Sequence, residues 1–261
     1  MVVRWAPLLM LVACTGGANP ETLVEELRIL AIVAEPPEAA PGEQVTITTH
    51  IADPGGVGFD VGVWTCSGYG TECFEADADR MMKQVDGETQ MDWTLDVPLE
   101  SAALLVDEEA PISVWALACE PGLCPMLDDQ TVSEDDLFNP TVQLEDLPMQ
   151  GVSLGRRSLW VSQRASDERR QNPRIQAGFD ETIPVVSGET AQLCFATDGI
   201  AEEAYGYATA GGFTETVVDV IDGVLELDYA ASKESGAADV WVLVQSEDQG
   251  SVVWSGTLEV E

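Results

Sequence analysis

The side chains of this 261-residue chain that could carry chemistry are six cysteines, one histidine, a large excess of carboxylates and one cluster of arginines. Cys14 is the most specific of them. It closes Leu11-Val12-Ala13-Cys14, behind the positive charge of Arg4 and the mostly apolar run Trp5–Ala13, and ahead of the loop-like Thr15-Gly16-Gly17-Ala18-Asn19-Pro20. That run is far shorter than the ~20 residues needed to cross a bilayer, and it suits the core of an export signal. A thiol stands where an ordinary signal would offer a small residue for cleavage. Sulfur is a nucleophile that can accept an acyl group.

The arrangement resembles the bacterial lipoprotein signal. The resemblance implies that residues 1–13 are removed as a signal peptide and that Cys14 is lipidated, with palmitate among the expected acyl chains. It also implies an exported protein. Thr15 replaces the aspartate that retains such proteins at the inner membrane, so the expected location is the outer membrane, with the protein facing the periplasm or the cell surface. Residues 14–24 read as a lipidated tether.

Of the other cysteines, Cys66, Cys73, Cys119 and Cys124 fall in the first half, and in an exported protein they are expected to be oxidised. Four cysteines allow three connectivities. The intervals Cys66–Cys73 and Cys119–Cys124 are polar or turn-like, which favours local bridges and leaves a Cys66–Cys119 bridge open. Their spacing lacks the close pairs of a zinc site. Cys194, in Ala191-Gln192-Leu193-Cys194-Phe195-Ala196, reads as a buried free thiol.

His50 lies on the polar phase of its segment and reads as an exposed strand residue. A single histidine rules out a multi-histidine metal centre, and no G-x-S-x-G nucleophile elbow occurs. Paired carboxylates could serve glycoside hydrolysis, yet in a chain with 47 acidic residues chance pairs are inevitable. No cofactor is expected unless it is calcium, for which the acidic loops offer Asp77, Asp79, Asp128, Asp129, Asp135 and Asp136 without an EF-hand pattern.

The formal charge of −36 excludes nucleic acid as a partner. A hydrophobic content of 45% argues against disorder and for packed cores. The positive charge is clustered. Arg156, Arg157, Arg164, Arg169, Arg170 and Arg174 lie within one short segment, opposed there only by Asp167 and Glu168. That strip either faces an acidic surface of its own molecule or meets an anionic partner.

From Leu27 onward the chain reads as short strands separated by turns. Strands are expected at Arg28–Ala34, Gln44–Ala52, Val61–Cys66, Met91–Val97 and Ile112–Cys119. After the proline-punctuated stretch 139–148 they are expected at Gly151–Ser162, Ile175–Phe179, Ala191–Thr197, Ala204–Ala208, Gly223–Tyr229, Asp239–Gln245 and Val252–Val260. The expected fold is all-β: two tandem immunoglobulin-like antiparallel sandwiches, at 25–147 and 148–261, after a lipoprotein signal peptide.

The stretch LRILAIVAEPPEAAPGEQVTITTHIADPGG followed by VWTC, and later NPRI, AYGYATAGGF and DVWVLVQSEDQGSVVW, is similar to uncharacterised predicted lipoproteins of the myxobacterial type. The resemblance implies tandem sandwiches and an envelope location, and it carries no activity. Ser246-Glu247-Asp248-Gln249-Gly250 departs from the Arg-Asp-Gly-rich hairpin usual there. The function expected is that of a non-enzymatic, lipid-anchored interaction module for an envelope protein or glycan, with Tyr69, Tyr205, Tyr207 and Phe213 as aromatic contacts or core residues. The alternatives are a calcium- or carbohydrate-binding module and a carboxylate-based envelope hydrolase. Oligomeric state is not legible.

Overall fold

A computed structural model describes residues 18–66, 81–85, 89–97, 109–123, 151–177, 182–247 and 250–261. The first half contains β1 (Arg28–Glu35), β2 (Glu38–Ala39), β3 (Gln44–Ala52), β4 (Phe59–Cys66), β5 (Met81–Val85), β6 (Gln90–Asp96), β7 (Glu109–Cys119) and β8 (Val152–Ser162). The second contains β9 (Ile175–Ala177), β10 (Ile183–Val185), β11 (Thr190–Thr197), β12 (Glu203–Ala208), β13 (Gly212–Phe213), β14 (Val218–Asp219), β15 (Val224–Ala230), β16 (Gly236–Gln245) and β17 (Ser251–Val260). A single 3-10 turn, Pro20–Thr22, is the only helical element among the described residues.

These strands build two immunoglobulin-like β-sandwiches. The first faces the sheet β1-β3-β6 against β2-β8-β7-β4-β5, and the second faces β13-β15-β11-β9 against β10-β17-β16-β12-β14. Alternation along each strand decides which side chains enter the core. In β3, Val45 and Ile47 point inward while Gln44 and Thr46 face solvent. They meet Phe59, Val61 and Val63 of β4 and Leu159 of β8 in the first core. Leu193 and Phe195 of β11 and Leu225, Leu227 and Tyr229 of β15 meet Val240 and Val242 of β16 in the second. Gly206 of β12 is required by this packing: a Cβ there would sit 2.5 Å from Cγ of the buried Phe213 ring.

β8 does not open the second sandwich, as a boundary at 147/148 would have it. It pairs antiparallel with β7 along its whole length, from Glu109↔Ser162 to Cys119↔Val152, and closes the first sandwich. The connection between the two sandwiches is therefore the arginine-bearing segment from residue 163 to 174, and the proline-punctuated stretch 139–148 lies outside the described residues. The expected tether is corrected as well. From Asn19 to Val24 it is docked on the second sandwich: the Val24 N–H donates to the Ala208 carbonyl at 2.9 Å, and Leu23 forms a parallel bridge with Ala208.

The sandwiches also touch directly. The outward face of the β12-β16-β17 sheet carries Tyr207, Trp241 and Val253, which cluster with Val24, Leu30 and Ala52. Arg28 lies over the Tyr207 ring, 5.0 Å from its centroid. This contact explains why His50 is buried rather than exposed. His50 shares the outward phase of β3 with Ala52, and the second sandwich covers that end of the sheet. Burial lowers the His50 pKa to about 4, with the Asp92 carboxylate pulling weakly upward.

His50 is therefore neutral in the folded protein well below its ordinary value of 6.5. Its contribution to stability is complete above pH 6.5 and falls as the pH drops toward 4, because only the unfolded chain takes up the proton in that window. The full loss is roughly 3 kcal/mol. Urea unfolding should show stability falling by about 2 kcal/mol between pH 7 and pH 5, and the fall should largely disappear in His50→Gln. Equal pH slopes in the two proteins would contradict the burial of His50.

Candidate functional site

The segment joining the sandwiches is positioned by a buried acid. The side chain of Glu38, in β2, has no exposed surface. Its position follows from Pro36 and Pro37, which precede a two-residue strand laid parallel to β8 at Trp160 and Val161. The Ser162 hydroxyl donates to the carboxylate, as do the Arg170 backbone N–H at 3.1 Å and Arg170 Nη1 at 3.0 Å. Arg170 also grips Glu109 through two parallel bonds of 3.1 Å, and its guanidinium lies 4.0 Å from the centroid of the Trp160 ring. Arg164 adds a second cation to both carboxylates.

Burial pushes the Glu38 carboxyl up, but the Ser162 hydroxyl, the Arg170 N–H and the two guanidinium charges outweigh it, and the net shift is downward. The hydrogen bonds from Arg170 hold Glu109 low in the same way. Arg169 binds Glu43 at 2.6 Å, and that carboxyl is lowered first by the Ala40 N–H.

Two residues beyond Arg170 the chain joins the sandwiches through one side chain. Asn172 Nδ2 donates to the Ala34 carbonyl of β1 at 2.8 Å, and Asn172 Oδ1 accepts the Ser251 N–H of β17 at 2.8 Å. Beside it opens a cleft of about 590 Å³, walled by Val33, Pro37, Ile175 and Val252 with Arg174 among its polar lining residues.

The arginines thus divide. Arg164, Arg169 and Arg170 face acidic groups of their own molecule. Arg156 donates to Ser113 and lies over Trp115, 5.6 Å from the ring centroid. Arg157 is partly buried and its pKa is lowered by burial, while Arg174 is exposed. They form no continuous strip, and of the two alternatives the internal one holds for the three in ion pairs.

Other expected sites resolve unevenly. Cys119 is disulfide-bonded. β4 pairs Asp60 with Cys119 and Cys66 with Ser113, so Cys66 and Cys119 stand six residues apart along adjacent strands. That is about 20 Å, whereas bridged Cα atoms lie within roughly 7 Å, and a Cys66–Cys119 bridge is excluded. Cys194 is exposed rather than buried, because Leu193 and Phe195 take the inward phase of β11. Phe213 is core, Tyr207 packs between the sandwiches, and Tyr205 donates to Glu203 at 2.9 Å. Cys14, Cys73, Cys124, Tyr69, Asp77, Asp79, Asp128, Asp129, Asp135 and Asp136, with the side chain of Cys66, lie outside the described residues. Among the described residues no group of three or more His, Cys, Asp or Glu is placed to hold a metal ion. No described helix is long and apolar enough to cross a membrane.

The second sandwich also carries a surface feature that hydrophobic alternation does not mark. At the loop end of the second sandwich, Ile221 and Val224 are paired across a two-residue hairpin and are 68% and 46% exposed. Asp222 and Gly223 between them have φ of 52° and 75°, as in a type I′ turn, which suits Asp-Gly. The neighbouring loop brings Ile200, 43% exposed, to the same end, because Thr197 N–H donates to the Gly223 carbonyl and Val220 N–H to that of Glu202. Glu202, Asp219 and Asp222 are exposed around them. The signal in the sequence was Ile-Asp-Gly-Val, a turn flanked by aliphatics.

No protein-family model matches the chain, and no curated protein matches it. Among solved structures it is similar to the D0-D1 domain of intimin, at 13% identity and a TM-score of 0.27, covering 89% of this chain and 98% of that one. It is similar to the human OSCAR ligand-binding domain at 11% identity and a TM-score of 0.29, covering 90% and 98%. A likeness to murine CRIg covers 34% of this chain and 97% of that one, at 10% identity and a TM-score of 0.22. These likenesses concern the fold, which the strand pairings establish independently.

Proposed function

We propose that the protein is a lipid-anchored protein of the cell envelope, held by Cys14 in the outer membrane, and that it binds a partner protein through the loop end of its second sandwich. The observation that carries this reading is the exposed aliphatic group Ile200, Ile221 and Val224 with its acidic surround. Loops at the end of a rigid sandwich are well suited to recognition, since the scaffold fixes them without constraining their sequence. A small apolar centre inside a charged border is the usual build of a protein-binding patch. The exposed large apolar side chains of the described residues are all aliphatic, which favours a protein over a glycan, whose sugar rings stack on aromatic faces.

The three carboxylates held by arginines are unsuited to acid catalysis. A carboxylate hydrolase needs one carboxyl held protonated by a raised pKa. Glu38, Glu43 and Glu109 are all shifted downward and committed to arginines.

A photo-crosslinking residue at Ile221 in intact cells should give a defined protein adduct that is lost when Ile200→Asp is added. The same probe at Lys233 should not give it. Identical adducts at both positions would remove the loop end from consideration. Metabolic labelling with a palmitate analogue should mark the wild type and not Cys14→Ser, and equal labelling of the two would overturn the anchor.

A further inference from the structure

Chain order would place the first sandwich next to the membrane, because the anchor precedes it. The docked N-terminal segment says otherwise. Asn19 N–H donates to the Phe213 carbonyl at 2.7 Å, and Asn19 Nδ2 to Thr216 Oγ1 at 2.6 Å. Thr22 is fully buried, and its Oγ1 accepts the Phe213 N–H at 2.9 Å. With the Val24–Ala208 bond, the chain is fastened to β12 and β13 before it reaches β1. Ala18 lies at the same place, since a Cβ on Gly212 would come within 3.0 Å of the Ala18 Cβ.

From this we infer that the second sandwich is the membrane-proximal domain, and that its end formed by 210–212 and 232–236 is the face apposed to lipid. The inference rests on the reading of Cys14 as the lipid anchor. Three residues, Thr15, Gly16 and Gly17, separate Cys14 from Ala18, and the four Cα–Cα steps between them reach at most about 14 Å when fully extended. Gly212 pairs with Ala230, and β16 begins at Gly236 and leads away to Gln245. Its ten residues span about 30 Å. The loops at 198–201 and 221–224, with Ser246, Glu247 and Gly250 beside them, therefore stand at the far end.

Electrostatics does not create this arrangement. Glu189 and Glu234 accompany Lys233 at the anchored end, so an anionic lipid surface offers no attraction. The short reach from the docked segment imposes it. One consequence bears on the proposed binding surface: Ile200, Ile221 and Val224 face away from the membrane that holds the protein, toward whatever lies beyond it.

The test uses the mature, lipidated full-length protein in phosphatidylethanolamine–phosphatidylglycerol vesicles containing a headgroup-level spin-labelled lipid. In a Cys194→Ser background, a fluorophore is attached at Glu234→Cys or at Glu247→Cys. Quenching should be at least twofold stronger at position 234 than at 247. Adding Thr22→Val, which removes the hydroxyl bonded to Phe213, should reduce quenching at 234 while vesicle binding persists. Equal quenching at both positions, or stronger quenching at 247, in vesicle-bound protein would overturn the inference and leave the anchor intact. Failure of the wild type to bind vesicles any better than Cys14→Ser would overturn the anchor, and the inference with it.

Discussion

A carboxylate with no access to water is tolerated only if its environment replaces what the water supplied, and Glu38 is such a group. Its replacement is the chain segment that follows β8. The hydroxyl of Ser162, the N–H and guanidinium of Arg170 and the more distant charge of Arg164 converge on it, and Glu109 shares both cations. Removing one member of such a group leaves an uncompensated buried charge, at a cost of about 3–5 kcal/mol. The path of the segment is thus fixed by electrostatics rather than by strand pairing. Asn172 follows two residues later and ties β1 to β17, so the placement of the second sandwich follows from the pinned arginine.

That placement propagates through the rest of the molecule. It covers Trp241 on the outward face of β16 and desolvates His50 on the outward face of β3. It also brings β1 alongside Tyr207, so that the residues just ahead of β1 meet the edge of β12 and dock there. The strongly acidic composition makes this economical. With few cations available, Arg164, Arg169 and Arg170 are paired with Glu38, Glu43 and Glu109 of the first sandwich, in the segment that leads into the second.

The sequence made the strands legible because each sandwich keeps one face dry and one wet. The alternation of Val45, Ile47, Thr49 and Ile51 marks out Gln44–Ala52, and those are the bounds of β3. What alternation could not show was where an outward face would be covered. His50 looked solvent-exposed because nothing local announces the second sandwich lying over it. Cys194 looked buried because its neighbours are apolar, although the two-residue period puts it on the wet side. A proline-rich stretch is only a local cue to a domain boundary, whereas β8 owes its place to pairing with β7. The short strands β2, β13 and β14 carry no periodicity to read, and β2 holds the acid on which the junction turns. The arginine cluster was visible as a cluster, but its acidic counterparts lie as much as 132 residues away in sequence.

Arg170 serves Glu38 inside the molecule rather than a partner outside it. A double-mutant cycle of Glu38→Gln and Arg170→Gln, read by urea unfolding of the soluble Cys14→Ser protein, measures that most directly. Each single substitution should destabilise, and the pair should show a coupling energy of about 1–3 kcal/mol. Single variants as stable as the wild type, with coupling near zero, would contradict the account and return the arginine to the surface.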